Sequence, residues 1–268
     1  VFDNYDLLTG MVKEEILQLN PNQSELEQYC YVNADGLCCR DLRPQYLKRH
    51  LGYHLPKTIL FPEYCWPEEK FHRIPKLTDG IHVVYVGNLD LDPESPVGYQ
   101  YDLAVLLSQN GIHFHIYPFF LSHVTKLKRI MSHYLADHGG VQDFIHIHNT
   151  ISPEKLTEEL SRYHYGLLIS TKQVDYGDDH NTSFDHVSDY FGAAKVFDYM
   201  EAGLFTFIQN ARFLRFILER HHNGKVIGSL QDIVTHCKRE PFTEPVIPES
   251  QRLLFNINRL TTFYLSLP

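Results

Sequence analysis

From residue 80 to residue 240 short apolar, β-rich runs alternate with segments of helical periodicity, and this restricts the fold more than any other feature of the chain. Ile81, Val83, Val84 and Val86 make the first run, which ends at Gly87-Asn88. The spacing of Leu103, Leu106 and Leu107 predicts a helix over 99–109, closed by Asn110-Gly111. A strand over 112–117 is stopped by Pro118, and a helix over 122–135 and a strand over 144–148 follow. Ser152-Pro153-Glu154 supplies a cap, a first-turn proline and a first-turn acid for the next helix. A strand over 165–170, a polar loop, a helix from Gly192 and a strand over 205–208 come next. A helix over 212–219, a strand over 225–227 and a helix with a Ser229…Asp232 capping box complete the run. Strands joined through helices pair in parallel and are covered on both faces. The expected class is α/β, a doubly wound parallel sheet that takes ligands at the carboxyl ends of its strands.

The first 77 residues repeat the pattern in part. Helix character over 6–19 is broken by Asn20-Pro21-Asn22, and Ser24 and Glu27 have capping-box spacing. A strand over 34–39, a helix over 44–51 closed by Gly52 and a strand over 57–62 make one crossover unit. Pro67 and Pro75 bound a linker, Pro241, Pro245 and Pro248 an irregular stretch, and 249–267 reads as a closing helix. The expected organisation is a partial Rossmann-like domain with linker over 1–77, a complete one over 78–240, and 241–268 returning toward the first. The chain opens on Val1 in mid-pattern, so a fragment or processed product is expected, with an N-terminal half-domain missing.

A hydrophobic fraction of 43% in 268 residues supports one large or two modest cores. The net charge of −9 argues against a general nucleic-acid grip and leaves room for a local basic patch. Five cysteines without metal-ligand spacing suit a reducing compartment. No apolar run is long enough to span a bilayer, which implies a cytoplasmic protein and leaves peripheral contact with a membrane surface open.

The segment from Gly192 to Leu204 carries the most specific signal. Gly192, Ala193 and Ala194 leave the start of a helix bare, so its free amides and dipole face a phosphate. Asp198, one turn in, is placed for ribose hydroxyls, and Lys195 for the diphosphate. Val196, Tyr199, Met200 and Gly203 fall on one side for packing. Lys195-Val196-Phe197-Asp198-Tyr199-Met200-Glu201-Ala202-Gly203-Leu204 resembles the Lys-x-Phe-Glu-Tyr-x-x-Ala-Gly-x-Pro segment in the donor half of GT-B-fold glycosyltransferases. Asp198 stands where that family usually has Glu, and Phe205 where it has Pro. The family's second acidic position falls on Tyr190, beside Asp189.

The resemblance implies that Gly87 and Asn88 approach the donor phosphates and that the turn of His148, Asn149 and Thr150 meets the nucleobase. The basic pair the family often adds after the glycine loop is missing: the chain continues Leu91-Asp92-Pro93-Glu94, and Lys195, then Lys172, are the substitutes. The implied activity is transfer of a sugar from a nucleotide-diphosphate sugar to a saccharide or lipid-linked acceptor, as in carbohydrate or cell-envelope biosynthesis. No cofactor and no metal are expected, and a catalytic base, if the reaction inverts, would come from the first domain. The alternatives are a degenerate or truncated interaction module of the same fold and, less favoured, a sugar-nucleotide epimerase.

His113 with His115, and His146 with His148, stand at period two, each pair on one sheet face. Hydrogen-bonded histidines outweigh a metal site there, because no cysteine or carboxylate has matching spacing. Asp175, Asp178, Asp179, His180, Asp185, His186 and Asp189 read as a solvated acidic loop bordering the cleft.

Overall fold

A computed structural model describes residues 2–4, 21–50, 52–67, 72–95, 98–169, 194–209 and 212–268. The smaller of its two parallel sheets has the order β1-β2-β3, with β1 at Phe2–Asn4, β2 at Gly36–Cys39 and β3 at Lys57–Leu60. The larger holds β4 (Ile81–Gly87), β5 (Ile112–Pro118), β6 (Ile145–Ile147), β7 (Tyr165–Leu168), β8 (Phe205–Gln209) and β9 (Gly224–Ile227). Its order is β6-β5-β4-β7-β8-β9 and every neighbouring pair is parallel. The chain winds outward from β4 to one edge, returns, and winds from β7 to the other. The reversal lies between β4 and β7, where a doubly wound sheet opens a crevice at its carboxyl edge.

The helices form where the periodicity places them. α1 (Pro21–Asn33) and α2 (Arg43–His50) flank the small sheet. α3 (Tyr99–Gln109), α4 (Leu121–Asp137), α5 (Pro153–Leu160), α6 (Ala194–Glu201), α7 (Arg212–Arg220) and α8 (Leu230–Arg239) belong to the large one. Pro153 opens α5 at its first turn, where no N–H is needed. The Asp232 carboxylate accepts from the N–H groups of Gly228 and Ser229 at 2.8 Å each, the expected acidic half of a capping box.

One sequence expectation fails. The helix start expected at Ser24 and Glu27 comes earlier: α1 already begins at Pro21, so both residues lie inside it. A proline costs nothing in the first turn, so the helix can begin ahead of Ser24. The helix expected over 6–19 lies outside the described residues, as does the acidic loop over 175–189.

The two faces of the large sheet differ in chemistry. Val83, Tyr85, Phe114, Ile116, Leu167 and Phe207 point to one face and join Leu103, Leu107, Leu127 and Ile233 from the helices in the main core. Val84, Tyr117, Tyr163 and Tyr199 hold the other, together with the histidines of β4 and β5. The last helix, α9 (Leu253–Leu265), packs Phe263 against Cys38 and Ile59 of the small sheet. Lys57 Nζ donates to Ser266 Oγ at 2.6 Å, fastening the end of the chain to the start of β3.

Candidate functional site

At the β4–β7 reversal, β4 ends on Gly87, whose φ of +142° is a conformation open essentially to glycine alone. A Cβ there would stand 2.6 Å from Lys195 Nζ. The same ammonium lies 4.4 Å from the centroid of the Tyr85 ring, within cation–π range. Tyr85 Oη in turn donates to the Asn88 carbonyl at 2.7 Å and fixes the turn. Gly87, Asn88 and Lys195, far apart in sequence, thus meet at one point of the carboxyl edge. A cavity of about 590 Å³ opens beside them, lined by Tyr85, Asn88, Asp90, Tyr99, His123 and Ile169.

Helix α6 is held at this edge by Tyr199, which is fully buried. Its hydroxyl accepts from the Val86 N–H and donates to the Leu167 carbonyl, each at 3.2 Å, bridging the two strands of the reversal. Gly166 makes room for the ring: a Cβ at that position would come within 2.6 Å of it. Val196 and Met200 are also fully buried, so the packing side expected for this helix is the one it uses.

Asp198 faces elsewhere. With Glu201 it lines a second cavity, about 440 Å³, closed on the far side by Arg40, Glu63, Tyr64 and Trp66 from the first block. Burial first, and then the Glu63 carboxylate, push the Asp198 carboxyl up to about 6 against the pull of Lys195. Glu201 is pushed up to about 7, again mainly by burial, although its carboxylate accepts from the Trp66 N–H at 2.7 Å. Lys195 and Asp198 therefore sit one helical turn apart, Lys195 against Gly87 and Tyr85 and Asp198 in the wall of the second cavity.

His148 lies just past β6, stacked on Tyr117 with ring centroids 4.4 Å apart. Burial holds its imidazole down to about 4, so it is neutral at pH 7. Asn149 and Thr150 are exposed beyond it at the same edge of the sheet. Ala194 is the first residue of α6; Gly192, Ala193 and Lys172 lie outside the described residues. Sequence reading missed Tyr85, Glu63 and Glu201. Tyr85 alternates with core residues on β4 and reads as packing, and the two glutamates acquire their setting only when the first block meets α6.

No protein-family model matches the sequence, and no curated protein matches it either. Solved structures do. The chain aligns with sucrose-phosphate synthase from Thermosynechococcus elongatus at a TM-score of 0.57 and 15% identity, covering 88% of this chain and 54% of that one. It aligns with Anabaena HepE, solved with UDP and glucose, at a TM-score of 0.59 and 11% identity, covering 99% and 71%. The fold is that of GT-B glycosyltransferases. Staphylococcus aureus TarM, solved with UDP among its ligands, matches at a TM-score of 0.50 and 12% identity, over 87% of this chain and 40% of that one. The chain thus spans about half of the GT-B synthase named first, and at these identities what it shares with all three is the fold. Among the described residues no helix is long and apolar enough to cross a membrane.

Proposed function

We propose that this chain is the donor-binding part of a GT-B glycosyltransferase that takes a nucleotide-diphosphate sugar. The observation that carries the reading is the meeting of Lys195 Nζ with Gly87 and Tyr85 at the reversal of the large sheet. A diphosphate there would find a mobile ammonium, a loop with no Cβ in the way and the start of α6. Those groups offset the charge that grows on the leaving diphosphate as the glycosidic bond breaks, without calling on a metal. Asp198 is the residue for the ribose, and the turn of His148, Asn149 and Thr150 is the expected neighbour of the base. The acceptor is a saccharide or a lipid-linked sugar, with a catalytic base, where one is needed, supplied by the first domain. The complexes of HepE and TarM with UDP support a uridine nucleotide as the first donor to try.

A second reading has its own support. No basic pair follows Gly87, and Asp198 stands where the family usually has Glu. Both fit an interaction module that has kept the fold and lost the donor. Incubating the chain with UDP-sugars and following release of UDP and the fate of the sugar separates the readings. Transfer or slow hydrolysis supports the enzyme, interconversion of the sugar nucleotide an epimerase, and no binding at all the module.

A further inference from the structure

Across one face of the large sheet five histidines are joined in hydrogen-bonded rows that start at its amino edge with His82 and His113. His82 Nδ1 lies 2.9 Å from His115 Nε2, and His115 Nδ1 lies 3.0 Å from His148 Nε2. In parallel, His113 Nδ1 lies 2.9 Å from His146 Nε2. The register of the strands makes this possible, setting His82 against His113 and His115 against His146 on one face. The rings of His82 and His113 stack with centroids 4.6 Å apart and planes 10° apart. Their Nδ1 atoms being engaged, the Nε2 atoms of both point toward the turn before β4. His82 Nε2 is 2.9 Å from Asp79 Oδ1, and His113 Nε2 lies against Gly80, where a Cβ would be 3.3 Å away.

We propose that Asp79, His82 and His113 form a binding site for a divalent transition-metal ion of the zinc class. One ligand atom from each lies within 4.8 Å of the others. A tetrahedral zinc ion with bonds of about 2.0–2.2 Å needs its ligand atoms about 3.4 Å apart. The Asp79 carboxylate, 71% exposed, is free to draw back that far from His82, which is only 2% exposed. Two imidazoles and a carboxylate leave a fourth position for water, and nitrogen-rich sets of this kind favour zinc, cobalt or nickel over magnesium or calcium.

The outer partners fit equally well. A ligating histidine holds its ring by donating the other N–H. If every histidine in the two rows carries its proton on Nδ1, then His82 donates to His115, His115 to His148 and His113 to His146. This arrangement satisfies all three hydrogen bonds and leaves two imidazole lone pairs facing a carboxylate, a concave arrangement of acceptors that a cation completes. The reverse arrangement, with His82 Nε2 donating to Asp79, also satisfies the His82–His115–His148 row. Metal binding therefore selects between two tautomer sets and is legible at a distance. The site departs from the expectation of no transition metal, because spacing along β5 and β6 could not reveal the His82 and Asp79 ligands contributed from β4 and its preceding turn. Its three ligands lie at the edge of the sheet away from Lys195, and the assignment does not rest on the donor reading, although the row reaches His148 of the turn at the other edge.

The test is titration of the untagged full chain with zinc, and separately with cobalt, against a magnesium control. One ion per chain is expected, with the visible absorption of tetrahedral cobalt. Asp79→Ala, at an exposed position, and His113→Gln should each weaken zinc at least about 10-fold, and His146→Gln, which removes an outer partner, about 10-fold or more. His133→Gln, an exposed control, should not. Nitrogen NMR of the imidazoles should show His115 and His148 turning to the Nδ1–H form as zinc is added. Zinc that binds no better than magnesium, or that binds equally well to the Asp79 and His113 variants, would overturn the assignment. So would imidazole signals of His115 and His148 that ignore the metal.

Discussion

Lys195 lays its ammonium 4.4 Å from the centre of the Tyr85 ring, bringing the start of α6 and the end of β4 to one point. The contact places a movable cation over a loop that has no side chain at Gly87. On the donor reading, the ammonium leaves the ring for the diphosphate when ligand arrives. The cation–π contact, worth about 0.5–1 kcal/mol at a partly exposed site, is weak enough to be exchanged for a charge-assisted hydrogen bond.

Gly87→Ala tests the loop. The φ of +142° strains any residue with a Cβ by about 1–3 kcal/mol, and that Cβ would displace Lys195 Nζ from 2.6 Å. The variant should unfold at lower denaturant and bind a nucleoside diphosphate more weakly, as urea titration and calorimetry would show. Unchanged stability and unchanged binding together would remove Gly87 from the site.

Tyr199→Phe tests how α6 is docked. The substitution keeps the ring and removes the hydroxyl that serves the Val86 N–H and the Leu167 carbonyl. Two buried backbone groups lose a partner, for a cost on the order of 1–3 kcal/mol. A shift in the urea midpoint at constant slope is the expected result.

Glu201→Gln tests the charge at the second cavity. A carboxyl raised from 4.5 to about 7 holds its proton more tightly folded than unfolded. The stability it contributes is therefore present at pH 4 and is lost as pH rises toward 7 and above, on the order of 2–3 kcal/mol. Gln keeps the oxygen that accepts from the Trp66 N–H and removes the charge. The variant should match the parent at pH 4 and exceed it in stability at pH 8, measured by urea unfolding at both values. Equal stability at pH 8 would contradict the raised carboxyl.

The large sheet was legible because its strands are announced locally, by a β-rich run and in all but β7 a Gly, Asn or Pro stop. Gly87 and Lys195 were legible as separate signals, a bare turn after a strand and a basic residue at the start of a helix, and folding supplied their contact. What escaped were relationships that exist only across strands or between blocks. His82 bonds to His115, and His113 to His146, each across 33 residues, so the histidine rows emerge only from register. Glu63 raises Asp198 because the segment after β3 and α6 converge on one cavity, which no spacing within either segment records. The start of α1 was placed too late, at Ser24, because a capping-box spacing inside a helix looks the same as one at its start until the chain is placed.

The measurement that bears most directly on the donor site is calorimetric titration of the folded full chain with UDP and GDP, at low and at high salt. The account predicts saturable binding of at least one of them at or below about 1 mM, weakened by Lys195→Ala more for the diphosphate than for the nucleoside, and more at low salt than at high. A folded chain that binds neither nucleotide at millimolar concentration, or a Lys195→Ala variant that binds as the parent does, would contradict it.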